Sequence, residues 1–188
     1  MEIRAGNLSV ESLPFDSVPP ALRREIVVLQ NLVWPSKDLS LEQRIEKALA
    51  ETTPNTDAKS QVVWHVVRDD GVLMAIAQSF RRIVATESGQ RFPVLALASV
   101  AAHPEFRGRG HARSAVRTAW ARLCPEIPVS FFQTGVPAFY ERLGARLVPN
   151  RIYDSTGADC AFWEPYAMIF PANSAWPDEP IDLLGRGW

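Results

Sequence analysis

The sequence predicts an α/β layered fold built on a mixed sheet. Strand-like and helix-like segments alternate along the chain. The apolar rhythm switches between alternation and a three-to-four-residue spacing from segment to segment. At 188 residues the expectation is a single domain over 1–188, long enough to bury about 70% of its unfolded surface without a metal or disulfide staple.

The elements follow in order. "IRAGNLSVESL" alternates weakly and suits an edge strand. "VPPALRREIVVLQNLVW" starts with prolines, places Leu22, Ile26, Leu29 and Val33 at helical spacing, and is closed by Pro35. "DLSLEQRIEKALAE" is a second helix with Ser40 as N-cap and Leu41, Ile45, Ala48 and Leu49 inward. "TTPNTDAKS" is a loop. In "QVVWHVVRDDGVLMAIAQSFRRIV" two β-branched runs meet through Asp-Asp-Gly, a hairpin signal. "FPVLALASVAA" is a strand ended by His103-Pro104, and residues 109–123 form a helix with Ala112, Ala115, Val116, Ala119, Trp120 and Leu123 on one face. "PVSFFQT" is a short buried strand, and "PAFYERLGA" a short helix that Gly144 stops in a left-handed conformation. "RLVPNRIYD" and "CAFWEPYAMIFP" complete the sheet, and an irregular tail covers about 171–188.

Composition narrows the function. The net charge of −1 argues against a nucleic-acid binder working through a general positive field. No run is long and apolar enough for a membrane span, and the N-terminus lacks a secretory pattern. Cys124 and Cys160 have neither disulfide-framework nor metal spacing. The expectation is a cytoplasmic protein with no metal, no nucleic-acid partner and no membrane partner.

Charge is nonetheless uneven, for Arg107, Arg109, Arg113, Arg117 and Arg122 crowd one stretch. There a strand leads through "FRGRGHA" into a helix start. The first amides of a helix have no partner inside it, and the helix dipole adds partial positive charge, so such a turn suits an anion. Gly108 and Gly110 let the backbone approach a bulky anion. The P-loop pattern is missing, because no Gly-Lys-Ser/Thr follows. The dinucleotide fingerprint fails too, because Arg113 stands where its third glycine belongs.

What remains is Arg107-x-x-Gly110-x-Ala112 behind a strand ending Val100-x-Ala102. This resembles the coenzyme A motif of the GNAT (GCN5-related N-acetyltransferase) superfamily, V-x-V-x-x-x-x-Q/R-x-x-G-x-G/A, with Ala102 replacing the second Val. "AFYERLGA" is similar to the family's later F-Y-x-x-x-G-F segment. The resemblance implies a mostly antiparallel sheet splayed around a cofactor cleft, helices on both faces, and direct acetyl transfer from acetyl-CoA to the amine of a small molecule. The helical segment of about 19–52 would roof the acceptor side, and a homodimer is a candidate assembly.

The resemblance also assigns residues. Val100, Ala101 and Ala102 would pair with the pantetheine arm, and the amides of Arg107, Gly108, Arg109, Gly110, His111 and Ala112 would hold the diphosphate. Gln133, where an Asn is usual, and Phe139 are further cofactor candidates. Arg109, Arg113 and Arg117, at i, i+4 spacing, could reach the 3′-phosphate, with a solvated basic flank as the alternative. Tyr140 is the candidate acid for the leaving thiolate, or else only packs against the cofactor. Many relatives carry a carboxylate base on the strand that here reads "LALASVAA", which offers only Ser99. His65, His103, Glu105 and Glu164 are the alternatives.

Acceptor candidates are Trp34, Trp64, Ser99 and Trp188, with core packing as the bland reading of the tryptophans. The C-terminal segment "YAMIFPANSAWPDEPIDLLGRGW" resembles those of aminoglycoside 2′-N-acetyltransferases and nodulation protein A-type acyltransferases. By that analogy Asp178, Glu179, Asp182 and the Trp188 carboxylate would face a cationic amino sugar. A catalytically silent CoA-binding or dimerising module and a peptide N-acetyltransferase are the competing readings.

Overall fold

The computed structural model describes residues 7–51, 62–156 and 162–188. The predicted loop at 52–60 and Cys160 fall outside the described residues. The fold is mixed α/β with a mostly antiparallel sheet, as expected. Its described residues form two compact units, each assembled from separate stretches: 7–51, 62–79 and 99–119 in the first, and 80–98, 120–156 and 162–188 in the second.

In the first unit, strand β1 (Leu8–Pro14) pairs antiparallel with β2 (Val63–Asp69), and β2 with the first half of β3 (Val72–Thr86). The β2–β3 turn falls at Asp70 and Gly71, both at positive φ, as the Asp-Asp-Gly signal predicts. Helix α1 (Pro20–Val33) enters through Pro19-Pro20 and buries Leu22, Ile26 and Leu29, three of the four residues read as inward; Val33 is partly buried. Helix α2 (Leu41–Ala50) starts at the predicted cap. Ser40 Oγ accepts the Gln43 N–H while Gln43 Oε1 accepts the Ser40 N–H, a reciprocal pair that satisfies two otherwise orphaned donors. Ile45 is its buried residue, but Leu49, read as inward, is exposed.

The core of this unit joins α1 to one face of the strands: Leu22, Ile26 and Leu29 with Trp64, Val66, Ile76 and Ala101. Arg23 ties it together at one corner. Its guanidinium donates to the carbonyls of Val18, Phe15 and Glu51 at 3.2, 3.1 and 2.7 Å. Strand β4 (Arg91–Ala102) ends in this unit and leads through a short 3-10 turn, Pro104–Phe106, to helix α3 (His111–Trp120). Ala115, Val116 and Ala119 of α3 are wholly buried, as the periodicity predicts.

In the second unit β4 meets β5 (Ser130–Thr134) in parallel through two pairs, Leu95 with Ser130 and Ala96 with Phe131. On its other side β5 pairs along its whole length with β8 (Tyr166–Phe170), and β8 with β6 (Arg146–Val148). Helix α4 (Pro137–Glu141) follows β5, and Gly144 at φ +96 ends that segment as read from the sequence.

The tail departs from expectation. Ile181–Asp182 forms strand β9, which pairs with the end of β3 and with β7 (Ile152–Tyr153). Asn150 holds the approach to it, donating to the carbonyls of Pro177 and Glu179 and accepting from Trp176 Nε1. Trp188, Phe162 and Trp176 all pack on Phe131. Hydrogen bonds to distant segments, not periodicity, order this tail.

Candidate functional site

The turn before α3 is built by its two glycines. Arg107 leaves the 3-10 turn extended, Gly108 takes φ +81, and Gly110 takes φ +90. Both values lie in the left-handed region that favours glycine. The Gly110 carbonyl accepts the first helical bond, from the Ser114 N–H at 3.0 Å. The N–H groups of His111, Ala112 and Arg113 therefore precede the first intrahelical donor and have no partner within the helix. A Cβ on Gly108 would meet nothing within 4 Å, whereas one on Gly110 would lie 3.4 Å from Arg113 Nη2.

Beside this turn is a cavity of about 500 Å³ within the first unit, lined by Arg109, Gly110, His111, Arg113, Ser114 and Arg117, together with Leu8 and Asp69. The predicted arginine stripe thus lines a real concavity. Among the described residues Asp69 is its sole carboxylate, and Asp69 Oδ2 lies 3.4 Å from His111 Nε2. His111 is buried, so this contact ties the β2–β3 turn to the first residue of α3. Arg109 also stacks over Phe106, its Cζ 5.0 Å from the ring centre. Sequence reasoning missed Asp69, Leu8 and Ser114. Nothing local signals that a hairpin turn will meet a helix start.

The remaining candidates divide. Ala101 is buried in the core, while Val100, Ala102 and Ala112 are half-buried and Arg107 and Gly108 exposed. Ser99 has a left-handed backbone, φ +51, and its hydroxyl lies 3.4 Å from Gln78 Oε1, a partner the sequence did not suggest. An occupied left-handed position at a β-branch-free but non-glycine residue costs roughly 1–3 kcal/mol and clusters at functional sites.

Trp64 is corrected from a cleft-lining candidate. The strand alternation that carries Val66 inward also carries Trp64 into the core against α1. Trp34 ends α1 and is 45% exposed. His65 faces away from that core and lies between two hydroxyls, Ser12 Oγ at 2.9 Å and Ser79 Oγ at 2.8 Å. His103 packs against Phe106, and its backbone N–H donates to Met74 O.

In the second unit Tyr140 is 5% exposed and packed by Trp120, Phe132 and Phe139. Burial pushes its phenol well above the usual tyrosine value. Gln133, read as a cofactor contact, has its amide engaged by protein: Nε2 donates to Trp188 O, and Oε1 accepts the N–H groups of Trp163 and Glu164. The Glu164 carboxylate lies against Gly135, 2.7 Å from where a Cβ there would sit.

Trp188 is likewise corrected. Its ring is buried against Phe80, Phe131 and Phe162, with Arg82 over its face at 4.9 Å. Two tail carboxylates are also committed. Glu179 accepts from Ser88 N and Oγ, and Asp182 from the N–H groups of Ser155 and Leu184. Among the described residues no cluster of His, Cys, Asp or Glu could hold a metal ion, and no helix is long and apolar enough to cross a membrane.

The family model for an acetyltransferase (GNAT) domain matches residues 23–148. No curated protein matches the chain in sequence. Among solved structures, a GCN5-related N-acetyltransferase from Kribbella flavida aligns over 79% of this chain and 35% of its own, with 16% identity and a TM-score of 0.57. An acyl-CoA N-acyltransferase from Pseudomonas aeruginosa aligns over 87% of this chain and 99% of its own, with 14% identity and a TM-score of 0.58. Arabidopsis thaliana NAA60, in complex with a bisubstrate analogue, aligns over 86% of this chain and 97% of its own, with 12% identity and a TM-score of 0.54. The chain spans about a third of the length of the first such structures, 35% of the Kribbella protein and 33% of a probable N-acyltransferase from Enterococcus faecalis. At these identities the likeness is one of fold.

Proposed function

The chain belongs to the GNAT acetyltransferase family, and from that premise we propose that it is an acetyl-CoA-dependent N-acetyltransferase acting on the amine of a small molecule, an amino sugar or aminoglycoside-like compound. The observation that carries this reading is the turn before α3, where unpaired helix-start amides and three arginines border one cavity. The donor set suits the cofactor. A diphosphate is an anion that needs several N–H donors, and a dipole contribution of roughly 0.3–1 kcal/mol per charge would not hold it alone.

Acetyl-CoA, when bound, supplies an acetyl group already activated as a thioester. The chain's residues supply the rest. The amides from Arg107 to Ala112 would hold the diphosphate, and the backbone of Val100 to Ala102 would pair with the pantetheine arm as an added strand does. A backbone N–H near Val100 or Ala102 would polarise the thioester carbonyl. Tyr140 keeps its proton on the phenol oxygen and is the group assigned to donate toward the leaving sulfur. Burial that raises its pKa makes it a hydrogen-bond donor first and a full acid second, because a thiol holds its proton near a pKa of about 8.5.

β4 bears no carboxylate from Val94 to Ala102. An acceptor that arrives partly unprotonated would need no base on that strand, and His103, Glu105 and Glu164 are the alternatives elsewhere. The same feature favours a second reading, a CoA-binding module without catalysis. A thiol-release assay with acetyl-CoA against aminoglycosides, glucosamine, polyamines, amino acids and peptides separates the two. Release with an amino sugar or aminoglycoside supports the first reading. Cofactor uptake without release from any of them supports the second.

A further inference from the structure

We propose that Glu164 and Trp163, beside the turn from β5 to α4, hold a second ammonium group of the acceptor, so that the substrate carries at least two amines. This rests on the acetyl transfer proposed above and names the class of acceptor it serves.

Gly135 lies outside the left-handed region, so backbone conformation does not demand glycine there. Its missing side chain instead leaves room for the Glu164 carboxylate: an added Cβ would lie 2.7 Å from Glu164 Oε2 and displace it. Glu164 is half-buried, and among the described residues neither a hydrogen bond nor an ion pair engages its carboxylate. Taking such a group partly out of water without a counter-charge costs free energy, which a bound cation offsets.

The backbone that presents this carboxylate is fixed. Gln133 Oε1 accepts the N–H groups of both Trp163 and Glu164, each at 2.9 Å. Two consecutive amides reach one oxygen only where the chain is curled, so the two side chains are not thrown to opposite faces as in a strand. Trp163 is 63% exposed, unusual for so large an apolar side chain, and Val136, next to Gly135, is 61% exposed. A counter-charge with a π face and apolar surface beside it is what recognises an alkylammonium. The chemistry is within reach. From Gly135 the chain runs two residues to the start of α4 and three more along it to Tyr140, which puts the two Cα atoms at most about 12 Å apart. A diamine or an oligomeric amino sugar can address both places, and a monoamine only one.

The test is titration calorimetry on the full chain, at low and high salt, with kanamycin, 1,6-diaminohexane and 6-amino-1-hexanol, the last two matched in length but differing in one amine. Thiol release from acetyl-CoA is measured with the same three. The wild type should bind kanamycin or the diamine at least about tenfold more tightly than the amino alcohol, the worth of one charge-assisted hydrogen bond. That preference should shrink as salt rises. Glu164→Gln should erase it, and so should Gly135→Ala, which moves the carboxylate without removing it. Trp163→Ala should weaken binding of the tighter probe about two- to fivefold.

Equal affinities for all three, binding of none, or a preference that survives Glu164→Gln overturns the inference. If that preference survives while turnover falls, Glu164 is a base and not a binding group. Thiol release separates the two levels. Release without a binding preference leaves acetyl transfer standing and sinks the inference, whereas a Glu164-dependent preference without release upholds the cation site and overturns the transfer. If Glu164→Gln does not fold, Gly135→Ala decides in its place: loss of the preference supports the inference, and its persistence refutes it.

Discussion

Replacing Gly110 with alanine tests the turn where its geometry is most demanding. At φ +90 an L-residue is strained, which costs about 1–2 kcal/mol. The new methyl would also come into van der Waals contact with Arg113, 3.4 Å from Nη2 and 3.8 Å from Nε. Gly108→Ala is the matched control: its φ of +81 imposes similar backbone strain, but no atom lies within 4 Å of the added carbon. Both variants should melt lower, by about 2–4 °C per kcal/mol for a chain of this size. They should part in binding. Gly110→Ala turns the peptide that directs the first amides of α3, so its affinity for coenzyme A should fall at least about tenfold, the worth of one charge-assisted hydrogen bond. Gly108→Ala should lose less. Differential scanning calorimetry and isothermal titration read the two effects separately. A Gly110→Ala protein with wild-type melting and wild-type coenzyme A affinity would refute the reasoning.

Three further outcomes follow from the second unit. Tyr140→Phe should lower turnover by about 10-fold with little change in melting, below the usual range for a general acid because burial makes the phenol a weak one; turnover equal to wild type in a steady-state assay would remove Tyr140 from the role. Burial raises the Asp182 carboxyl while the bonds from Ser155 and Leu184 outweigh it, so it sits below its ordinary value. Its stabilisation is therefore present above the unfolded value of about 3.9 and lost as pH falls through the folded one. Asp182→Asn should cost about 1–3 kcal/mol at pH 7 in urea titrations, with the gap closing below about pH 4, and a gap constant with pH would count against the assignment. Trp188→Ala removes a ring packed by Phe80, Phe131 and Phe162 and should cost about 3–5 kcal/mol, seen as a lower denaturation midpoint; an unchanged midpoint would show that the ring contributes no packing.

Local chemistry made part of this protein legible. The Ser40–Gln43 cap, the Asp70–Gly71 turn and the glycines before α3 each depend on residues a few positions apart, and all three stand where the sequence predicts. The buried face of α3 follows from its period. What sequence could not show depends on partners far along the chain. Nothing near Trp64 and Trp34 distinguishes the one that joins α1 in the core from the one left exposed. Nothing near Gln133 announces that its amide meets Trp188, 55 positions later, or that Ser88 meets Glu179, 91 positions later. Of the acceptor candidates drawn from the tail, Glu179, Asp182 and the Trp188 ring are engaged by such distant partners. Residues that look free in a Pro-rich, aperiodic stretch were already bound within their own unit.

Amide exchange across residues 107–112, followed while coenzyme A is added to the isotopically labelled chain, measures the cofactor contact where it is claimed. Slowed exchange and shifted resonances at Gly108, Gly110, His111 and Ala112, saturating with coenzyme A, are the predicted result. Binding that leaves those amides unchanged, or no binding at all, would contradict it.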